Sequence, residues 1–453
     1  MSLKVIIIGA GTGGLCLAHG LRQEGIEVAV FERDRTRMDG LQGYRVGIDP
    51  DGSRALHACL PSDLYATFVA TCARAPRYFN IYTEWMSEVL SLPVLDGGSP
   101  EDTINTEKSV SRMTMRQVLL TGLEDVVHFD KSFERYEQRA DGKVTAYFND
   151  GTSTTGDLLV AADGTNSRVR KQYLPHAKLE ESGILAIGAK VPLTVDTKAL
   201  LPDKAFYGVS LVIAPKGYSN ILHVMEFPWD RQGPRTMAGG NDADLIARWP
   251  GLLYDNTSNY IMWGFSAARR HFATDPMSAR GEDLVNLALS MTQGWHPNLR
   301  KLMTLSDPST VFPINIRTSV PVEPWPTSSV TLLGDAIHTM TPGRGVGANT
   351  ALRDAALLRR KLVEVRNGTK PLLLAISEYE EEMRTYAYAA VQKSREQMDQ
   401  DAWIHKPVVG RLALASMRAG MRLVNAVPVL KRRMAESQSA FRGAHREGDS
   451  GTT

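Results

Sequence analysis

Apolar runs and helical spacing divide the first 35 residues into three elements. The β-branched run KVIII at residues 4–8 predicts a buried parallel strand. Residues 14, 17, 18 and 21 then share one helical face, and the run IEVAVFE at residues 26–32 predicts a second buried strand. The order strand, helix, strand predicts a βαβ unit at the start of the chain.

Strands of the same kind recur far along the chain. DLLVAAD at residues 157–163 and VTLLGD at residues 330–335 are apolar runs that end in turn residues, and apolar positions repeat at helical spacing from residue 348 to residue 362. Between them, residues 184–191, 207–213, 221–227 and 260–265 have the composition of strands. This order predicts a sheet-rich block inserted into a nucleotide-binding fold.

The domain organisation follows from these positions and from a length of 453 residues, which exceeds one ordinary core. We expect an α/β, Rossmann-like cofactor domain made of residues 1–75, 101–178 and 285–376. Residues 76–100 and 179–284 are expected to form a substrate domain with a β-sheet. A helical C-terminal region is predicted for residues 377–436 and a flexible tail for residues 437–453.

Composition excludes several classes of protein. The 52 Lys and Arg residues nearly balance 50 Asp and Glu residues, which disfavours nucleic acid as a partner. Cys16, Cys59 and Cys72 lack the spacing of a zinc site or a disulfide framework, so no metal is expected and a reducing compartment is favoured. No cleavable or membrane-spanning segment stands at the N-terminus, and we expect a cytoplasmic protein.

The turn after the first strand carries a dinucleotide-binding pattern. Gly9, Gly11 and Gly14 form GxGxxG between a strand and a helix, where glycines allow a tight turn, close approach of a pyrophosphate and close packing of helix on strand. The helix N-terminus then faces the phosphates. Glu32, at the end of the second strand, stands where a carboxylate accepts the ribose hydroxyls.

Two further segments indicate the identity of the cofactor, because they resemble signatures of a known family. DLLVAADGTNSRVR, with Asp163 and Gly164, and LLGDAIHTMTPGRGVGANTALRDA, with Gly334 and Asp335, resemble the two later signatures of the single-component FAD-dependent monooxygenases, the para-hydroxybenzoate hydroxylase-like aromatic hydroxylases. The three segments fall in the order found in that family. The resemblance implies FAD as the cofactor.

The resemblance also implies which residues contact FAD. Asp335 is expected to bind the ribityl chain, and the loop that follows is expected to point a helix N-terminus at the flavin pyrimidine. The residues predicted to bind the cofactor are Gly9, Gly11, Gly14, Glu32, Arg33, Arg45, Gly47, Arg112, Asp163, Gly164, Gly334, Asp335, Pro342, Gly345, Gly347 and Asn349. No catalytic acid or base is demanded, and Arg45 and His338 are the two candidates that the motifs offer.

The reaction implied by the resemblance begins with transient binding of NADPH or NADH, which reduces the flavin. Oxygen then forms a flavin C4a-hydroperoxide, which transfers one oxygen atom to an aromatic or polycyclic small molecule by hydroxylation or epoxidation. Such chemistry suits secondary metabolism. The candidate walls of the substrate pocket are Tyr207, Met225, Trp263 and Phe265.

Other functions of the same fold stay open at this point. They are a flavin-dependent reductase or dehydrogenase, a Baeyer–Villiger oxygenase, and a binding protein that uses the nucleotide fold without redox work. The absence of a W-x-W-x-I-P segment disfavours a flavin halogenase. The sequence predicts no particular oligomeric state.

A basic segment near the C-terminus is the last feature. Residues 406–433 carry seven Lys and Arg residues and no acidic residue, in a chain whose net charge is +2. We expect a helix that docks on the protein with its arginines at the rim. Contact of this helix with a membrane surface is the alternative.

Overall fold

The computed structural model describes residues 3–37, 39, 44–95, 102–227, 259–406 and 408–443. In chain order its strands are β1 (Lys4–Ile8), β2 (Glu27–Phe31), β3 (Arg45–Ile48), β4 (Tyr78–Thr83), β5 (Glu88–Pro93), β6 (Lys108–Ser111), β7 (Val127–His128), β8 (Phe133–Gln138), β9 (Val144–Phe148), β10 (Ser153–Gly156), β11 (Leu158–Ala161), β12 (Leu179–Pro192), β13 (Gly208–Ile213), β14 (Ser219–Met225), β15 (Tyr260–Ala268), β16 (Phe312–Ser319) and β17 (Val330–Leu332).

The helices of the same residues are α1 (Thr12–Gln23), α2 (Pro50–Cys59), α3 (Ser62–Ala70), α4 (Arg112–Leu120), α5 (Arg168–Tyr173), α6 (Val195–Lys198), α7 (Asp203–Phe206), α8 (Gly281–Met291), α9 (Pro297–Thr304), α10 (Asp335–His338), α11 (Gly347–Arg366), α12 (Leu372–Gln397), α13 (Val409–Ala426) and α14 (Pro428–Phe441). Short 3₁₀ turns lie between some of them.

A parallel five-stranded sheet forms the first layer, in the order β17-β11-β1-β2-β7. Its central strands are buried on both faces, as their unbroken apolar runs predict. Helices α1, α11 and α12 contribute to the same hydrophobic core. The predicted Rossmann-like βαβ unit is confirmed, and the two later strands β11 and β17 join its sheet.

A seven-stranded mixed sheet forms the second layer, in the order β16-β12-β15-β14-β13-β4-β5. Helices α8 and α9 cover one face of it and share a core with its apolar side chains. The other face turns toward the first layer, since His223 on β14 contacts Ser109 on β6. Two antiparallel strands, β3 and β6, contact both layers, since Ser109 on β6 contacts His223 on β14 and Gly47 on β3 accepts a hydrogen bond from Asn349 on α11.

The boundary predicted at residues 284 and 285 needs correction. The sequence pattern predicts that residues 285–319 belong to the cofactor domain, yet α8, α9 and β16 belong to the seven-stranded sheet and its core. The apolar face of α8 alone does not tell which sheet it covers, and this is the physical reason for the error. The predicted segments 76–100 and 179–284 otherwise contain the remaining strands of this sheet.

The C-terminal region is helical, as expected, with α12, α13 and α14. The flexible tail predicted for residues 437–453 is wrong at its start, because α14 continues to Phe441 and Arg442 forms a buried ion pair with Glu107. Residues 444–453 lie outside the described residues. Within the described part of the chain, every helix is too short or too polar to cross a membrane.

Candidate functional site

A cavity of about 470 Å³ opens at the carboxyl ends of β1, β2 and β11. This is where parallel α/β sheets bind their ligands, because backbone N–H groups and loop side chains meet at that edge. Its lining residues include the following: Gly9, Ala10, Gly11, Thr12, Glu32, Arg33, Asp34, Arg112, Arg116, Lys131, Asp163, Gly164, Arg168 and Lys171. The basic members outnumber the acidic ones, which suits an anionic ligand.

The glycines of the first turn differ in what they require. Gly9 has φ +108°, and a Cβ there would lie 2.4 Å from the carbonyl oxygen of Ala162. A Cβ on Gly14 would lie 2.3 Å from the carbonyl oxygen of Gly9, so helix α1 can pack this closely against the turn only if residue 14 is glycine. A Cβ on Gly11 would meet nothing nearer than 4.0 Å. Gly11 therefore faces the open cavity, as predicted for the glycine that a phosphate approaches.

Glu32 lies at the edge of the cavity with its carboxylate held in place. Its oxygens accept hydrogen bonds from the backbone N–H groups of Ala10, at 2.7 Å, and Asp34, at 3.0 Å. Arg116 pairs with the Asp34 carboxylate at 2.9 Å and reaches within 3.9 Å of Glu32. The acid is thus oriented by the turn that it faces. The neighbouring Arg33 is exposed at the cavity rim.

Asp163 has one satisfied and one unsatisfied oxygen. Its Oδ2 accepts from the backbone N–H groups of Arg168, at 2.8 Å, and Val169, at 3.3 Å. Its Oδ1 is buried without a partner among the described residues. Burial raises the pKa of this carboxyl, although the hydrogen bonds oppose the shift. An unpartnered buried acceptor beside a cavity indicates a ligand donor.

Gly164 follows it with φ +73° and open space around its Cβ position. This backbone conformation is one that L-residues seldom adopt, and it turns the chain along the cavity wall. Arg170 then joins this segment to the next signature, donating to the carbonyl oxygens of Thr165, at 2.9 Å, and Ala336, at 2.7 Å. Two segments far apart in sequence therefore meet beside the cavity.

Asp335 begins helix α10 after Gly334, which has φ +63°. The residue is exposed to solvent, and it is not among the residues that line the 470 Å³ cavity. Desolvation by the surrounding protein atoms raises the pKa of Asp335, while the nearby charges of His338 and Arg112 act to lower it. Arg112 itself lines the cavity and lies over the ring of Tyr44, 5.4 Å from its centroid.

The loop after α10 leads into the N-terminus of α11. Pro342 begins a 3₁₀ turn, Gly345 has a left-handed φ of +65°, and Gly347 is the first residue of the helix. Pro342 and Gly345 are exposed. The first backbone N–H groups of a helix have no partner within it, so this end favours a negative charge.

Asn349 uses its side chain inside the protein. Its Nδ2 donates to the carbonyl oxygen of Gly47 at 2.9 Å, and its Oδ1 accepts from the backbone N–H of Asp49 at 3.1 Å. A Cβ on Gly47 would touch the guanidinium of Arg45 at 3.0 Å. The amide thus fastens β3 to the start of α11, and only the Asn349 backbone is left for a ligand.

Asp49, in this same junction, supplies a pH-dependent prediction. Burial raises the pKa of its carboxyl to about 7, with Arg442 lowering it and Glu107 raising it. A carboxyl whose pKa is higher in the folded state contributes stability below about pH 4 and loses that contribution as pH rises through about 7. Asp49→Asn keeps the helix cap on Gly52 and removes the titration. We expect it to gain about 1–3 kcal/mol at about pH 8 and much less at about pH 5.

Urea unfolding of both proteins at the two pH values measures this difference. Asp51→Asn is the matched control, since it removes the same charge from a carboxylate that pairs with Arg54. No gain is expected for the control. A gain for Asp49→Asn that does not change with pH would contradict the assignment.

Arg45 is half-buried and reaches toward the seven-stranded sheet. Its Nε and Nη2 lie 3.3 Å from Ser109 Oγ, which lies 3.1 Å from His223 Nε2. Burial and, to a smaller extent, repulsion by Arg442 lower the pKa of Arg45 to about 10. Burial and the charge of Arg45 hold the pKa of His223 well below its usual value. Arg45 is thus oriented away from the 470 Å³ cavity.

A buried polar network behind Asp335 was not recognised from the sequence. Asp354 Oδ2 accepts from the Gly334 backbone N–H at 2.8 Å and lies 2.6 Å from His338 Nε2, and its Oδ1 accepts from the Tyr386 hydroxyl at 2.5 Å. Burial alone lowers the pKa of His338, but the Asp354 carboxylate outweighs it and the net shift is upward. His338 is therefore held in the core, away from any substrate. The only sign of this network in the sequence is Asp354 itself, which lies in the helix of the second signature, after Gly334 and Asp335.

The candidate substrate residues lie in two different places. Met225 is in a cluster with Ala73 and Tyr260, on the side of the sheet near the first layer. Tyr207 stacks with the guanidinium groups of Arg74 and Arg77 at one end of β13. Trp263 and Phe265 are fully buried between the sheet and helices α8 and α9. Trp263 also donates to Ser306 Oγ at 2.8 Å, so the structure does not bring these two aromatic residues to the cleft.

Comparisons with protein families match two parts of the chain. Residues 290–394 match an FAD binding domain, and residues 7–37 match an NAD(P)-binding Rossmann-like domain. The second match contains the glycine turn and Glu32, and the first contains the Asp335 segment.

Comparisons with individual proteins agree. The chain is 33% identical over 409 residues to the dual O-methyltransferase/FAD-dependent monooxygenase CTB3 of Cercospora beticola, covering 87% of this chain and 46% of that protein. It thus spans less than half the length of the first curated relatives that it matches. It is 29% identical to the FAD-dependent urate hydroxylase of Klebsiella pneumoniae, covering 88% of this chain and 90% of that one.

A solved structure is similar over most of the chain. The crystal structure described as an FAD-containing monooxygenase of Photorhabdus luminescens superposes with a TM-score of 0.76 and 34% identity, covering 90% of this chain and 100% of that chain.

Proposed function

The chain belongs to the FAD-binding monooxygenase family, and from that premise we propose that it uses NADPH or NADH to insert one oxygen atom from O2 into an aromatic or polycyclic small molecule. FAD is the cofactor. When bound, FAD takes electrons from the nicotinamide and activates oxygen, which no amino-acid side chain does. The oxygen-transferring intermediate expected from the resemblance stays a prediction.

The residues of the cleft fit FAD. The open Cβ position of Gly11 and the N-terminus of α1 suit a pyrophosphate. Glu32 lines the cavity and would accept hydrogen bonds from the adenosine ribose, and the unpartnered Asp163 Oδ1 suits a hydroxyl or amide donor. The exposed carboxylate of Asp335 would accept a hydrogen bond from the ribityl chain.

The start of α11 would face the flavin ring. Backbone N–H groups near Gly345 and Gly347 would stabilise negative charge on the reduced ring, because the helix N-terminus carries partial positive charge. Asn349 supports this role indirectly by holding the loop against β3. Asp163, Asp335 and these glycines are the positions on which the proposed cofactor site depends.

We assign the substrate side to the face of the seven-stranded sheet that carries His223 and Met225. This face meets β3 and β6 across the Arg45, Ser109 and His223 contacts. A sheet over the reacting ring excludes water, which oxygen transfer requires. Arg45 stands at this junction, near the place where an anionic substrate group or the flavin would need a cation.

The observation that carries the proposal is that two of the three signature segments line one cavity and the third is tied to them beside it. Residues 9–12 and 163–164 line the cavity together with Arg112, and Arg170 ties the second segment to the backbone beside Asp335. A nucleotide-binding protein that holds only NAD requires the first segment alone. The complete set favours a flavoenzyme over the non-catalytic alternative.

The function is tested by following NADPH and oxygen together. Phenolic polycyclic compounds and urate, the substrate named for the bacterial relative, are the first ligands to add. We expect a ligand of the correct class to raise NADPH oxidation by roughly tenfold or more and to be converted with one O2 consumed per NADPH. Repeating the assay with NADH in place of NADPH shows which of the two reductants the protein prefers. Ligand reduction that proceeds equally well without oxygen would instead indicate a reductase.

A further inference from the structure

The C-terminal helices expose an unusual amount of apolar surface. Of fifteen large apolar side chains that are exposed among the described residues, eight fall between residues 403 and 434. We call them the C-terminal patch, and its members are Trp403, Val408, Val409, Leu412, Leu423, Val429, Leu430 and Met434. Single exposed apolar residues need no explanation, but a concentration of them in one segment indicates a binding surface.

Helix α13 has two faces with different partners. Leu414 is buried, and Met421 and Val424 pack against Leu90 and Leu92 of β5. Arg418 pairs with Glu84 and donates to the carbonyl oxygen of Ile213. This inner face docks the helix on the sheet, as the sequence predicted for the basic segment.

The outer face of α13 is apolar where a docked surface helix is normally charged. Leu412 and Leu423 are 68% and 60% exposed, and Ala415 and Ala419 lie on the same face at helical spacing. Arg411 and Arg422 are exposed along one side of this stripe. A helix with an outward apolar stripe and arginines at its edge matches those that lie in the plane of a membrane surface.

The charge of the segment points to the partner. Residues 402–435 contain seven Lys and Arg residues and no Asp or Glu, although the whole chain is nearly neutral. Packing the patch against a second copy would bring two such basic segments together, which repulsion disfavours. An anionic lipid surface satisfies both halves of the pattern, since acyl chains take up the apolar side chains and headgroup phosphates pair with the arginines.

We propose that the C-terminal patch binds the surface of membranes that contain anionic phospholipids. The helices then lie along the headgroup region, with Trp403 and the leucines at the acyl boundary and Arg411 and Arg422 at the phosphates. The 18 residues of α13 are too polar to cross the bilayer, so the contact is peripheral. This proposal is independent of the reaction that the protein catalyses.

Vesicle flotation of the FAD-loaded full chain tests it. We expect flotation with vesicles of phosphatidylcholine and phosphatidylserine, and little with phosphatidylcholine alone. Arg411→Gln/Arg422→Gln should weaken binding to the anionic vesicles roughly thirtyfold, because each arginine near an anionic surface raises the affinity roughly fivefold. Leu412→Gln/Leu423→Gln should weaken it by roughly tenfold or more. Added salt should weaken the wild type.

Two matched variants separate a local effect from a general one. Leu373→Gln/Leu374→Gln changes two leucines that are 53% and 51% exposed on α12, and Arg135→Gln/Arg139→Gln removes two exposed charges near β8. Both should float as the wild type does. Retained flavin absorbance and an unchanged melting temperature show that each variant is folded.

Three results would overturn the proposal. They are the absence of wild-type flotation with anionic vesicles, equal flotation of all four variants, and a concentration-dependent dimer that Leu412→Gln/Leu423→Gln abolishes. The last would identify the C-terminal patch as an interface between two copies. Size-exclusion chromatography with light scattering measures it on the same samples.

Discussion

Asp354→Ala is expected to lower the free energy of unfolding by about 3–5 kcal/mol, because it removes the acceptor at the centre of a buried polar network. The carboxylate is fully buried and holds Gly334 N–H, His338 and the Tyr386 hydroxyl. Alanine leaves all three groups without a partner and opens a cavity. Urea unfolding of the apoprotein, followed by circular dichroism, measures the loss.

Asp354→Asn is the matched control for this prediction. An amide oxygen can accept from Gly334 and a neutral His338, while the amide N–H donates to the Tyr386 oxygen. The loss should therefore be only about 1–2 kcal/mol, arising mainly from the charge of His338. An alanine variant as stable as the asparagine variant would mean that the network does not support α10.

The sequence predicted the elements of the first layer well because their patterns are local. An unbroken apolar run, a glycine turn and a helix with one apolar face require only near neighbours, and the βαβ unit and the FAD fold are confirmed. Gly9 and Gly14 could likewise be identified, since GxGxxG encodes a backbone conformation and a close approach.

Features decided by tertiary packing were harder to predict. Strand β15 is apolar on both faces, so periodicity did not show that Trp263 and Phe265 point toward α8 and α9. The same ambiguity placed residues 285–319 in the wrong unit. Asn349 stands in a cofactor signature, yet its amide donates to Gly47 of β3, which lies 302 residues earlier. Such a contact leaves no trace in a single sequence.

Asp335→Ala is expected to raise the dissociation constant for FAD by roughly 10- to 100-fold, because it removes a charged hydrogen-bond acceptor from the cofactor cleft. The apoprotein should lose no stability. The Asp335 side chain is exposed to solvent, so truncating it leaves no cavity in the core.

Flavin fluorescence titration gives the dissociation constants, and urea unfolding of the apoprotein gives the stability. Asp335→Asn keeps an acceptor oxygen without the charge and should bind FAD only roughly threefold to tenfold more weakly than the wild type. Gly14→Ala provides the opposite pattern, since a Cβ 2.3 Å from the Gly9 carbonyl oxygen should destabilise the apoprotein as well. Weaker FAD binding without a loss of apoprotein stability therefore separates a cofactor ligand from a residue that only maintains the fold. Unchanged FAD binding by Asp335→Ala would instead place the ribityl chain away from α10, and the proposed site would have to be redrawn around Asp163.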